Sequence, residues 1–134
     1  MKKAFTLLEL IIVIVILGIL ATLGFTQYTK VVEKGRTAEA KVILGQLRTA
    51  EITYKLDYGV YTNIANLAVD APASCVSTNY FVYSYSTNPG NCPGNTPYLY
   101  AGRCTAGGKS PNASSVYALR LCIETGVFIT DMGP

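Results

Sequence analysis

From Leu10 to Thr29 the chain carries 20 consecutive uncharged, mostly apolar residues, with a single carboxylate, Glu9, directly before them. As a helix this run spans about 30 Å, the thickness of one hydrocarbon core. The positive charges upstream are Lys2 and Lys3, so the positive-inside bias leaves that end in the cytoplasm and directs the rest outward. Glu9 is the anomaly. A carboxylate entering the bilayer costs on the order of 2.5–3.5 kcal/mol on insertion scales, and therefore calls for a partner and a function. A cleaved secretory signal does not fit: its apolar core is about 7–15 residues and ends at a small-residue cleavage site, whereas this run is longer and passes straight into amphipathic sequence. A plain single-span anchor accounts for the length but not for Glu9.

The block Ala4-Phe5-Thr6-Leu7-Leu8-Glu9, after a short basic start, resembles the leader junction of type IV pilins and type II secretion pseudopilins. The specific resemblance covers about residues 1–60. It implies removal of residues 1–4 by a prepilin peptidase on the cytoplasmic side, between Ala4 and Phe5. It also implies methylation of the new amine on Phe5, and a role for Glu9 as the family's glutamate at the fifth mature position. Two departures stand out: Ala4 replaces the usual glycine before the cut, and no proline precedes Pro72, although many type IV pilins carry one at the position of Thr26. Any helix unwinding there would rest on Gly18 and Gly24, each weakening a helix by about 1 kcal/mol relative to alanine.

Cleavage would place a positive amine on Phe5 at i, i+4 from Glu9, on one helix face. In lipid or in a dry filament core both charges need neutralising. The carboxylate of an incoming subunit can pair with the amine of the subunit already added, which favours one axial register. A self-pair within one helix competes with that exchange.

The helical signal continues from Phe5 to about Leu56, about 78 Å if straight. Ala40, Ile43, Leu47, Ala50 and Tyr54 recur at the 3- and 4-residue spacing of an amphipathic stripe. Lys34, Arg36, Glu39, Lys41, Arg48, Glu51 and Lys55 are expected mostly on other faces, and Gly59 is the stop. Residues 60–79 read as a connecting loop. Alternating runs then follow at 80–85, 98–101, 116–121 and 127–130, separated by turn-rich sequence, and all six prolines lie from Pro72 on. They predict a four-stranded antiparallel meander. The fold class is α+β: a long N-terminal helix, its first half transmembrane and its second half amphipathic, packed on a small sheet head. The expected divisions are a leader at 1–4, a membrane or filament-core segment at 5–29, the amphipathic helix at 30–58 and the head at 59–134.

Cys75, Cys92, Cys104 and Cys122 form no C-x-x-C pair, and histidine is absent, so no metal site is expected. An even count in an exported small head reads as two disulfides. Three connectivities are open. Pairing the second and third strands about residues 109–110 places Cys122 near Cys92. Pairing the first and second about residue 91 places Cys104 near Cys75. The meander therefore favours Cys75–Cys104 and Cys92–Cys122.

The sequence carries no phosphate loop, no nucleophile motif and no histidine for acid–base work; Ser110, Ser114 and Ser115 read as loop residues, and neither an enzyme nor a cofactor is expected. Beyond residue 56, Arg103, Lys109 and Arg120 stand against Asp57, Asp70, Glu124 and Asp131, which is no electrostatic footprint for nucleic acid. The leading expectation is a structural subunit that polymerises by helix–helix packing into a surface pilus serving adhesion, motility or DNA uptake. By the resemblance, its partners are the inner membrane before assembly, the prepilin peptidase, a platform protein and an assembly ATPase. One alternative is a periplasmic secretion pseudopilin, since residues 53–61 resemble the end of the long helix there, although the acidic calcium loop of major pseudopilins is missing. A minor tip pilin is another, with Tyr80, Tyr83, Tyr85, Tyr98, Tyr100 and Tyr117 as stacking candidates for DNA or a surface. Those rings equally suit a sheet by β-propensity. Electron conduction along Phe5, Phe25, Tyr28, Tyr54, Tyr58 and Tyr61 is a third idea, and Asn112-Ala113-Ser114 matches a glycosylation acceptor.

Overall fold

A computed structural model describes residues 5–87, 92–113 and 116–131. The expected cut before Phe5 therefore falls at the edge of this range, and Lys2, Lys3, Ala4, Ser114, Ser115 and the turn at residue 91 lie outside the described residues.

Helix α1 runs from Leu7 to Tyr58, 52 residues. The chain divides into two compact units, residues 1–35 and 36–134. In the first, the apolar side chains from Phe5 to Val31 stand open, from 48% exposed at Ile11 to 81% at Phe5. No element of that unit covers them, as expected of a segment that is long and apolar enough to cross a membrane.

The second unit has a core. Gly59 ends α1 with φ +77°, and its N–H donates to the Lys55 carbonyl at 2.8 Å, a left-handed stop that glycine adopts without strain. The loop after it contains a 3₁₀ turn, Ile64–Asn66, absent from the sequence expectation. Asn63 opens the turn by accepting the Ala65 N–H at 3.2 Å, and Ile64 is driven into the core. An asparagine before an apolar residue was the available signal.

Four strands follow: β1 (Phe81–Ser86), β2 (Tyr98–Arg103), β3 (Ala118–Cys122) and β4 (Phe128–Asp131). They pair antiparallel in the order β1-β2-β3-β4, the expected meander, with boundaries shifted by one or two residues. Alternation sets the buried face. Tyr83 stands opposite Ala101, which stands opposite Leu119; Tyr85, Leu99 and Leu121 form the next row. A small residue between two large ones leaves room for the helix, and Leu44, Leu47, Leu99 and Leu119 have no exposed surface. On the outer face, Tyr100 lies over Gly102, where an added Cβ would approach Tyr100 Cε1 to 2.7 Å, so a side chain there would displace the Tyr100 ring.

The helix stripe differs from the expected one. Ala40, Leu44, Leu47 and Glu51 are the fully buried positions, whereas Ile43, Ala50 and Tyr54 are half-buried. Both sets have 3- and 4-residue spacing and lie side by side on the helix, and sheet contact selects between them. Glu51 is the buried exception among the seven charged residues expected mostly on other faces. Its Oε2 accepts the Thr62 N–H at 3.1 Å, which fastens the chain after its turn at Gly59. Its Oε1 has no hydrogen-bond partner among the described residues, and burial pushes its pKa up against the opposing Thr62 bond.

Disulfides join Cys75 to Cys104 and Cys92 to Cys122, with Cα–Cα distances of 5.8 and 5.6 Å. The first ties the connecting loop to the end of β2, and the second ties the approach to β2 to the end of β3. Arg103, 4% exposed, completes the loop after β2: its guanidinium donates to the carbonyls of Tyr80, Cys104 and Pro111 at 2.9–3.2 Å.

Candidate functional site

The residues singled out at the amino terminus meet in one hydrogen-bonded turn. Thr6 precedes the first helical residue, and four N–H groups at a helix start have no partner within the helix. The Glu9 Oε2 accepts from both the Thr6 N–H and the Thr6 hydroxyl, each at 3.0 Å. In return the Thr6 Oγ1 accepts the Glu9 N–H at 3.2 Å. This is a capping box, a Thr and a Glu three residues apart satisfying each other's backbone donors. This cap is not among the features expected from the sequence, although Thr-x-x-Glu before an apolar run is itself a recognisable signal.

Glu9 thus has two roles available to it. In the uncut chain its carboxylate neutralises orphan donors at the start of α1, a position where negative charge also suits the helix dipole. An amine created on Phe5 would arise one residue before Thr6, the residue Glu9 already holds. The whole site is exposed: Phe5, Leu7, Leu8 and Leu10 are 59–81% accessible around it. A charged cap amid bare apolar surface suits docking against another apolar surface and offers nothing to hold a small substrate.

The other candidates are dispersed. Tyr83 and Tyr117 are buried in the core. The Tyr80 ring is flanked by Arg36, Lys109 and Arg103, with the charged atoms 4.6–5.1 Å from its centroid, and Arg120 lies over Tyr98 at 5.3 Å. These rings are occupied rather than laid out as an open stacking platform. Of the aromatic residues considered for conduction, Tyr54 and Tyr58 stack at 4.4 Å. Among the described residues no group of three or more His, Cys, Asp or Glu side chains is placed to hold a metal. At the far end of α1, Lys55 Nζ lies 3.1 Å from the Tyr61 hydroxyl and 3.0 Å from Glu124 Oε1. Those bonds raise the Lys55 pKa, and Lys55 lowers that of Glu124; the cluster braces the helix end against the β3–β4 turn.

One comparison with known proteins falls at the same end of the chain. The prokaryotic N-terminal methylation motif matches residues 1–25. The type IV major pilin protein PilE1 of Neisseria gonorrhoeae is 32% identical over 80 residues, 60% of this chain and 37% of that protein. The type IV major pilin protein PilA of Myxococcus xanthus (strain DK1622) is 33% identical over 91 residues, 68% of this chain and 40% of that protein. The type IV major fimbrial protein FimA of Dichelobacter nodosus is 40% identical over 57 residues, 42% of this chain and 36% of that protein. The chain spans about two fifths of the length of these curated relatives. No solved structure gives a significant match.

Proposed function

We propose that this chain, a member of the type IV pilin family, is made as a membrane-anchored precursor, cut before Phe5 and polymerised through its N-terminal helix into a surface filament. The observation that supports this most is the Phe5–Glu9 site itself: a charged cap at the head of a long apolar helix with its side chains open to a partner. The methylation motif over residues 1–25 supports processing by a prepilin peptidase, with a leader of residues 1–4 and methylation of Phe5. Extraction from the membrane then falls to a platform protein and an assembly ATPase. Residues 5–29 supply the membrane span and later the filament core.

Polymerisation follows from the chemistry of the cap. Once Phe5 carries a free amine, that amine and the Thr6 N–H compete for the Glu9 carboxylate. An isolated subunit in lipid satisfies Glu9 internally. An incoming subunit lends its carboxylate to the amine of its neighbour, and the exchange is favourable where water is excluded and charge pairing is strong. A surface filament is preferred over the secretion pseudopilus because the relatives described above are named major pilins and fimbrial proteins.

Two substitutions separate the roles of Glu9. Glu9→Gln keeps a capping-box side chain but removes the charge, whereas Glu9→Val removes both. If both variants insert in the membrane and neither assembles, the charge pair drives docking. Filaments from Glu9→Gln at the wild-type level would overturn the charge argument and leave only the cap. Intact mass of sheared filaments, showing loss of residues 1–4, one added methyl and two disulfides, tests the processing steps.

A further inference from the structure

Where the apolar span ends, α1 carries an aromatic ring and two lysines that none of the roles above uses. Within the first unit, residues 1–35, Tyr28 is 66% exposed, and Lys30 and Lys34 are exposed as well. The lysines are four residues apart on one continuous helix, so they share a face and stand about 6 Å apart along its axis. Among the described residues neither ammonium makes an ion pair or a hydrogen bond. Glu33, between them in sequence, already has a partner and is half-buried. Phe25 and Val31, 70% and 66% exposed, carry the apolar surface up to the lysines.

Bilayer dimensions place these groups. The uncharged run ends at Thr29, which meets the edge of a hydrocarbon core about 30 Å thick; headgroups add about 5–7 Å on each side. A helix seated in that core holds Tyr28 at the boundary, where an amphipathic ring is favoured. Lys30 and Lys34 then fall one turn apart within the headgroup layer. A lysine there keeps its aliphatic stem against the acyl chains and its ammonium among the phosphates. A phosphate oxygen accepts the charge-assisted hydrogen bonds that an unpartnered ammonium has to give.

We propose that Tyr28, Lys30 and Lys34 form a binding surface for anionic phospholipid headgroups on the outer leaflet, which fixes the depth of the subunit before assembly. It rests on the membrane-anchored precursor proposed above and not on the filament. A phosphodiester with no cation in its own headgroup, as in phosphatidylglycerol, is free to pair with both ammonium groups. In phosphatidylcholine the choline competes for the phosphate. The cut before Phe5 removes Lys2 and Lys3, so in the mature subunit this pair supplies the lysines nearest the span. Their lipid contacts have to be given up when the helix leaves the bilayer.

The test reconstitutes the full chain in phosphatidylcholine vesicles and checks by flotation that it is integrated. Electron paramagnetic resonance then compares the association of spin-labelled phosphatidylglycerol and spin-labelled phosphatidylcholine with the chain. Phosphatidylglycerol is expected to associate more strongly, by a ratio that falls as salt is added. Lys30→Gln and Lys34→Gln should each lower the ratio by up to about fivefold, the worth of one lysine at an anionic surface, and Lys109→Gln, in the head, should leave it unchanged. A ratio of one, a ratio unchanged in both lysine variants, or a preference abolished by Lys2→Gln/Lys3→Gln alone overturns the proposal. A ratio of one together with carbodiimide cross-links from Lys30 or Lys34 to a second copy would assign this face to a neighbouring chain instead. A chain that floats with the vesicles but shows no preference leaves the membrane-anchored reading standing, whereas a chain that does not float overturns both.

Discussion

Removing either disulfide should come close to unfolding the head. Cys75–Cys104 and Cys92–Cys122 have sequence separations of 29 and 30 residues. Closing loops of that length in the unfolded chain costs entropy worth about 3.6 kcal/mol per bridge in the chain-entropy model. The two loops share residues 92–104, so the second bridge closes on a chain the first has already restricted, and removing both should cost less than the sum. Small domains have about 5–15 kcal/mol in total. Cys75→Ala/Cys104→Ala should lose about 3–4 kcal/mol. Cys92→Ala/Cys122→Ala should lose somewhat more, because both of its cysteines are buried whereas Cys75 is half-buried, so truncation there leaves more void. Guanidinium unfolding in detergent, followed by tyrosine fluorescence, reports on the head, since the chain has no tryptophan and 10 tyrosines, of which Tyr83 and Tyr117 are buried. A loss below about 1 kcal/mol for either pair would refute the idea that the bridges make up for a small core.

Two further outcomes are expected. Leu119→Ala, at a fully buried position between Ala101 and Thr130, should destabilise the head by about 2–5 kcal/mol, read as a lower guanidinium midpoint. Burial raises the pKa of Glu51 above its ordinary value, so the folded head holds that proton more tightly than the unfolded chain does. The stabilisation from this group is therefore complete below the unfolded value of 4.5 and is lost as pH rises through the folded one. Compared with wild type, Glu51→Gln should flatten the stability profile above pH 4.5, measured as thermal midpoints across the range; an unchanged slope would show that Glu51 ionises as it does in water.

Length, pattern and punctuation in the sequence determined the large features. The uncharged run after Glu9 requires a helix, because in lipid only internal hydrogen bonds satisfy the backbone. Gly59 ends that helix, and the alternating runs around Tyr83, Leu99 and Leu119 place those side chains on one face of a sheet. The site at Phe5–Glu9 was legible as a lone charge before an apolar run within a compact junction block, while its capping box, though equally local with partners three residues apart, was not among the expected features. What the sequence left open is what depends on distant partners. The 3- and 4-residue spacing along α1 admits two adjacent stripes, and packing against β1–β3 selected Leu44 and Glu51 over Ala50 and Tyr54. Glu51 looks like a surface charge until the chain turns back after Gly59 and presents the Thr62 N–H to it. Arg103 likewise reads as a head charge, and only the loop that β2 leads into brings three carbonyls to its guanidinium. Local hydrogen bonding and periodicity are encoded within a few residues, whereas burial of a polar group is decided by whatever tertiary packing places beside it.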